Sequence, residues 1–146
     1  MAKQTFAADL SKWSERAKLN MKRVAADAIQ DVVEPIQTEA QLGRTRGGSP
    51  AQGHLPIGHT NDLQNSLVTR INGGDVAAGD ASYSVGLAQA EIGDYLQFDW
   101  AIEYSLAMEL GFSSPDGTQL FEGYHFVGIN AAKFSDYVER RAKEHG

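Results

Sequence analysis

Apolar residues recur through the first forty positions at steps of three and four: Phe6, Leu10, Trp13, Ala17, Met21, Val24, Ala28, Val32, Ile36 and Ala40. That spacing draws one stripe along an amphipathic helix. Thr5 stands where an N-cap belongs. A continuous helix from Phe6 to Leu42 would extend roughly 50 Å at about 1.5 Å per residue. Pro35 predicts a kink, or the end of a segment near Glu34, and Asn20 marks a second possible division. The stripe is long for a chain of 146 residues. It therefore predicts a helix of which one part packs on another subunit.

The pattern breaks from Gly43 to His59, where Gly43, Gly47, Gly48, Gly53, Gly58, Pro50 and Pro56 predict an irregular loop. Its length exceeds ordinary connections, which points to a functional or disordered segment. Thr60-Asn61-Asp62 offers side-chain oxygens to cap a short helical turn carrying Leu63 and Leu67. Leu67 to Ile71 reads as a strand, Asn72-Gly73-Gly74-Asp75 as a hairpin turn, and Val76 to Gly79 as the return strand. Ser82 to Ala88 alternates around Tyr83, Val85 and Leu87, which predicts another strand. Glu91 to Asp94 is a turn, and Tyr95 to Trp100 a further strand. Ala101 to Leu110 predicts a short helix closed by Gly111. Phe112 to Gly123 predicts a second irregular loop, turning at Ser113 to Gly117. Val127, Ala131, Phe134, Tyr137, Val138 and Arg141 predict a last helix over about 126–144, with a basic tail at the negative end of its dipole. The expected fold is α+β. It is one domain over residues 1–146 in which the long N-terminal helix and the C-terminal helix pack on a small, mostly antiparallel sheet at about 66–100. Flexible loops are expected at about 43–59 and 112–123.

Charge sharpens this picture. The net charge is −6, yet all 13 Lys and Arg lie in residues 1–70 and 133–146. The 62 residues from Ile71 to Ala132 carry acids alone: Asp75, Asp80, Glu91, Asp94, Asp99, Glu103, Glu109, Asp116 and Glu122. A solvated acidic face is one reading. The other is a surface that repels a polyanion, the reverse of the basic stripe a nucleic-acid binder needs. Arg44 and Arg46, in the first loop, are placed to meet DNA phosphate or an acidic neighbour, or to stay solvated.

Composition excludes several chemistries. The chain has no cysteine, so it offers no disulfide, thiolate nucleophile or cysteine metal site. The first loop lacks the glycine–lysine–serine/threonine signature of a phosphate-binding loop. His54 and His59 sit on a glycine-rich loop without further ligands beside them, and His125 has no partner visible in sequence. No spacing singles out a carboxylate pair, and no serine elbow is present. No enzymatic activity, cofactor or metal is expected. The start of the chain lacks the apolar run of a signal peptide, and no run of about 18 apolar residues predicts a membrane span. A metal-dependent hydrolase and a small soluble binding module remain the alternative readings.

Three stretches carry a resemblance when taken in order. Thr60, Leu63 and Ser66, then Tyr104, Glu109 and Gly111, then Gly123, Val127, Asn130, Ala132, Lys133 and Phe134 resemble the phage neck family, also called head–tail joining or tail-completion proteins. Asn61 stands where that family usually has glycine, and Gly128 where an arginine is common. The resemblance implies a structural virion protein, made in the host bacterial cytoplasm. It would form a homo-oligomeric ring, six-fold or twelve-fold, at the neck between portal or adaptor proteins and the tail, with DNA passing without specific binding and no membrane contact. It makes Arg44, Arg46, Thr60, Ser66, Tyr104, Glu109, Gly111 and Phe126 candidate interface residues. Asp75, Asp80, Asp94 and Asp99 become candidates to line a channel.

Overall fold

The computed structural model of the chain describes residues 6–42, 52–57, 61–113, 115–117 and 120–145. Helix α1 spans Phe6–Thr38 and passes through Pro35 without interruption. The expected break at Pro35 is thus corrected. Proline removes one N–H and crowds one turn, but the turn after it closes, with the Glu39 N–H donating to the Pro35 carbonyl at 2.9 Å. Asn20 divides nothing either. Two short strands follow, β1 (Gln41–Leu42) and β2 (Pro56–Ile57), paired in parallel. A helical turn, α2 (Asp62–Asn65), leads into β3 (Leu67–Ile71) and β4 (Gly74–Ala78).

The β3–β4 hairpin forms where its turn residues predict. Asn72 and Gly73 hold φ of 53° and 83°, the two positive values that a two-residue hairpin turn matching strand twist requires. Strand β5 (Leu96–Trp100) adds to the other edge of β3, giving an antiparallel sheet in the order β4-β3-β5. The register pairs Thr69 with Phe98 and Leu67 with Trp100.

The segment expected as a strand at Ser82 to Ala88 is a helix, α3 (Ser82–Gln89). The alternation of Tyr83, Val85 and Leu87 is coincidental. The residues actually buried are Ser82, Tyr83, Gly86 and Leu87, a helical face set down on β3. Gly86 permits the approach, since a Cβ there would lie 2.3 Å from Thr69 Cγ2. Ser82 Oγ and Thr69 Oγ1, 3.0 Å apart, satisfy each other in that contact.

Helix α4 (Ser105–Leu110) closes at Gly111, whose φ is 85°. Strands β6 (Gly111–Ser113) and β7 (Leu120–Glu122) pair antiparallel, so part of the expected second loop is a hairpin. The last element is two helices, α5 (Gly128–Ala131) and α6 (Phe134–His145). Helix α6 runs back along α1. Arg141 donates two hydrogen bonds to Asp31, at 2.8 and 2.7 Å, and the His145 ring meets Asp27 at 2.7 Å. The Arg141 bonds hold the Asp31 carboxyl below the usual carboxylate range, against the burial that pushes it up. The architecture is α+β, with one long helix, a C-terminal helix and a small antiparallel sheet.

Two apolar clusters form the core. One joins Val33 of α1 to Leu67, Tyr83 and Leu87. The other joins Ile36 to Leu55, Leu63, Tyr124 and Phe126. Leu55 comes from the first expected loop and is fully buried. Gln52 adds to the tether by donating to the Gly123 carbonyl at 2.7 Å. Trp100 packs against both clusters, and its ring meets Phe126 edge-on at 5.5 Å.

Between the clusters sits Gln37, a polar residue only 1% exposed. Trp100 Nε1 donates to its Oε1 at 2.9 Å. Its Nε2 donates to the carbonyls of Gln64 and Asp80 at 2.9 and 3.0 Å. Gln64 Nε2 donates in return to the Gln37 carbonyl. Four segments are thereby tied to one amide. Replacing Gln37 with Leu would strand the indole N–H and both carbonyls in a dry site. We expect a loss of about 2–4 kcal/mol in urea-induced unfolding; a loss below about 0.5 kcal/mol would mean the amide does not organise the core.

Candidate assembly surface

Among the described residues, no group of three His, Asp or Glu side chains is placed to hold a metal ion. No helix among them is long and apolar enough to cross a membrane. A cleft of about 330 Å³ lies between α1 and α6. Two of its charges have partners: Asp31 holds Arg141, and the Arg140 guanidinium lies 5.0 Å over the Tyr137 ring.

Two of the three stretches that carried the resemblance meet at Glu109. Its Oε1 accepts from the Val127 N–H at 2.9 Å and its Oε2 from the Gly128 N–H at 2.8 Å. The carboxylate thus caps the exposed donors at the start of α5, where a negative charge belongs. The backbone joins in: the Tyr124 N–H donates to the Met108 carbonyl at 2.8 Å and the His125 N–H to the Glu109 carbonyl at 3.1 Å. Gly123 makes that approach possible, because a Cβ there would lie 2.2 Å from the Glu109 carbonyl oxygen. Asn130 completes the junction by donating to the carbonyls of Gly53 and Phe126 at 2.8 and 2.7 Å.

Each predicted interface residue can now be placed. Arg44, Arg46 and Thr60 lie outside the described residues. Ser66 closes α2, its Oγ donating to the Leu63 carbonyl at 2.7 Å, and its own carbonyl accepts from the Ala101 N–H at 3.0 Å. Glu109 is occupied within its own chain. Gly111 ends α4 and starts β6. Phe126, 1% exposed, is corrected from interface to core, since its ring is enclosed by Trp100, Ile36 and Leu55. Tyr104 is exposed and available to a neighbour. Asn61, the departure from the family's glycine, adopts a φ of −99°, where no glycine is needed.

The four acids expected along a channel are each engaged within the chain. Asp75 and Asp99 are both paired with Arg70, Asp75 at 2.6 Å from its Nε. Asp94 accepts from the Glu91 N–H at 2.8 Å and from Asn72 at 3.0 Å. Those bonds hold its carboxyl below the usual range. Asp80 turns to Gln37 of α1, 3.1 Å from its Nε2. Each of the four has a local structural partner.

Sequence reasoning expected part of the α1 stripe and Tyr104 at a contact surface, but it did not find Leu106, Leu110 and Phe112 there. On the N-terminal half of α1, Leu10, Trp13 and Met21 face solvent, Trp13 at 66% exposure. On α4 and β6, Tyr104, Leu106, Leu110 and Phe112 do the same, Leu106 at 66% and Leu110 at 62%. Leu106 and Leu110 are four residues apart and share one helical face. Apolar side chains clustered this way mark contact surfaces, where single ones are unremarkable. The half-stripe on α1 was visible in the sequence, but nothing there separated its covered half from its bare one.

No protein-family model, curated protein or solved structure matches the chain.

The Glu109 cap generates a direct test. Glu109→Ala should lower unfolding stability by about 1–2 kcal/mol, with Glu109→Gln intermediate because one acceptor survives. Chemical denaturation of the three proteins measures it. Equal stability of all three would show that the cap contributes nothing.

Proposed function

We propose that the chain is a structural virion protein that assembles into a ring at the neck of a tailed phage, between capsid and tail. The observation that carries this reading is the uncovered half of α1. A helix of 33 residues is buried on its C-terminal half by the chain's own core and presents Leu10, Trp13 and Met21 to solvent on the other. A protein that acts alone has no use for such a strip, whereas a ring subunit covers it with its neighbour. The motif series at Thr60 to Ser66, Tyr104 to Gly111 and Gly123 to Phe134 supports the specific assignment to the neck. The acidic stretch from Ile71 to Ala132, with no Lys or Arg, suits a component past which DNA must move without adhering.

The test is localisation. An antibody raised against the chain should label the junction of head and tail in tailed particles from the same source, and the purified chain should form closed rings in electron micrographs, alone or with tail tubes. Absence of the chain from such particles would contradict the reading.

A further inference from the structure

Two exposed apolar surfaces of this chain have opposite electrostatic character. The N-terminal arm of α1 carries five basic and two acidic residues between Asp9 and Arg23. Arg16 and Lys18 are exposed there and form no ion pair among the described residues. Leu10, Trp13, Ala17 and Met21 run along one face of the arm at steps of three, four and four. The second surface, around α4 and β6, lies inside the segment that has no Lys or Arg. It presents Leu106 and Leu110 with Tyr104 beside them. Glu103 adjoins it in the turn before α4, and Glu122 lies across the β6–β7 pair from Gly111. Both glutamates are exposed and lack an ion pair among the described residues.

We propose that the basic arm of α1 of one copy seats on the acidic α4–β6 face of the next copy, head to tail. Charge selects this pairing over the two symmetric ones. Arm against arm would bring Arg16 and Lys18 of both copies together. Face against face would bury Glu103 and Glu122 among acids with no base to answer them. Only arm on face neutralises both while covering both apolar patches.

A chain cannot make this contact with itself. Met108 of α4 packs against the cluster that contains Ile36. Trp13 is 23 residues upstream on the same unbroken helix, a distance of about 35 Å at 1.5 Å per residue. The contact uses two different surfaces, so it repeats from copy to copy and closes into a ring where the rotation permits. The inference rests on the ring reading above and names the surfaces that would close it.

The absence of cysteine in the chain makes the test clean. Trp13→Cys and Leu106→Cys replace exposed side chains, and circular dichroism with thermal melts checks that both variants keep the fold. Oxidation of an equimolar mixture should yield a disulfide-linked pair joining one of each. The double variant should yield a ladder of covalent multimers on a non-reducing gel. Reversing Arg16 and Lys18 to Glu should cut the yield roughly tenfold at low salt, and adding Glu103→Lys with Glu122→Lys should restore it. A Trp13→Cys variant that links only to itself, or a mixture that links not at all at high protein concentration, overturns the inference. Rings seen without this cross-link would leave the ring reading standing and remove the proposed docking. A ladder from a chain that is absent from tailed particles would do the opposite.

Discussion

The amide of Gln37 is the constraint on which the arrangement depends. It lies on α1 between two apolar clusters, both packed against Trp100, and it is bonded to that indole. Its other bonds reach α2 through Gln64 and the turn before α3 through Asp80. A buried amide with all its partners in place fixes one arrangement of the elements around it, because any slippage leaves polar groups dry and unpaired. Apolar packing alone would tolerate α1 sliding by a turn along the sheet; the amide does not. With α1 fixed at that point, the antiparallel α6 clamps it from the other side through Asp31 and Asp27.

Fixing the C-terminal half of α1 determines where its other half goes. The helix is unbroken, so the arm from Leu10 to Met21 is held out on a rigid lever. The same rigidity keeps it away from the α4–β6 face of its own chain. The junction at Glu109 performs the matching task at the other surface. By capping α5 and pairing Met108 and Glu109 with Tyr124 and His125, it gives α4 a firm backing. Leu106 and Leu110 are thereby displayed on a supported helix of only six residues.

Much of this was legible in the chain. The Asn72-Gly73 turn, the strands on either side of it, the short helix ending at Gly111 and the long first helix all follow from local rules that tertiary context did not override. The failures have physical causes. Ser82 to Ala88 alternates like a strand, yet Gly86 lets a helix approach Thr69 where any side chain would collide. Leu55 is enclosed in core although glycine and proline surround it. Gln37 lies off the apolar stripe, so no periodicity identifies it as buried. Glu109, expected only as an interface residue, caps α5 within its own chain and links two of the three motif stretches.

The account stands on α1 being one helix with two roles, core along its second half and assembly surface along its first. Hydrogen–deuterium exchange along α1 measures that division directly. In the isolated chain, amides from about Val24 to Thr38 should exchange slowly and those from Leu10 to Met21 orders of magnitude faster, with the fast set slowing once copies assemble. Uniform slow exchange over the whole helix in an isolated monomer would contradict it.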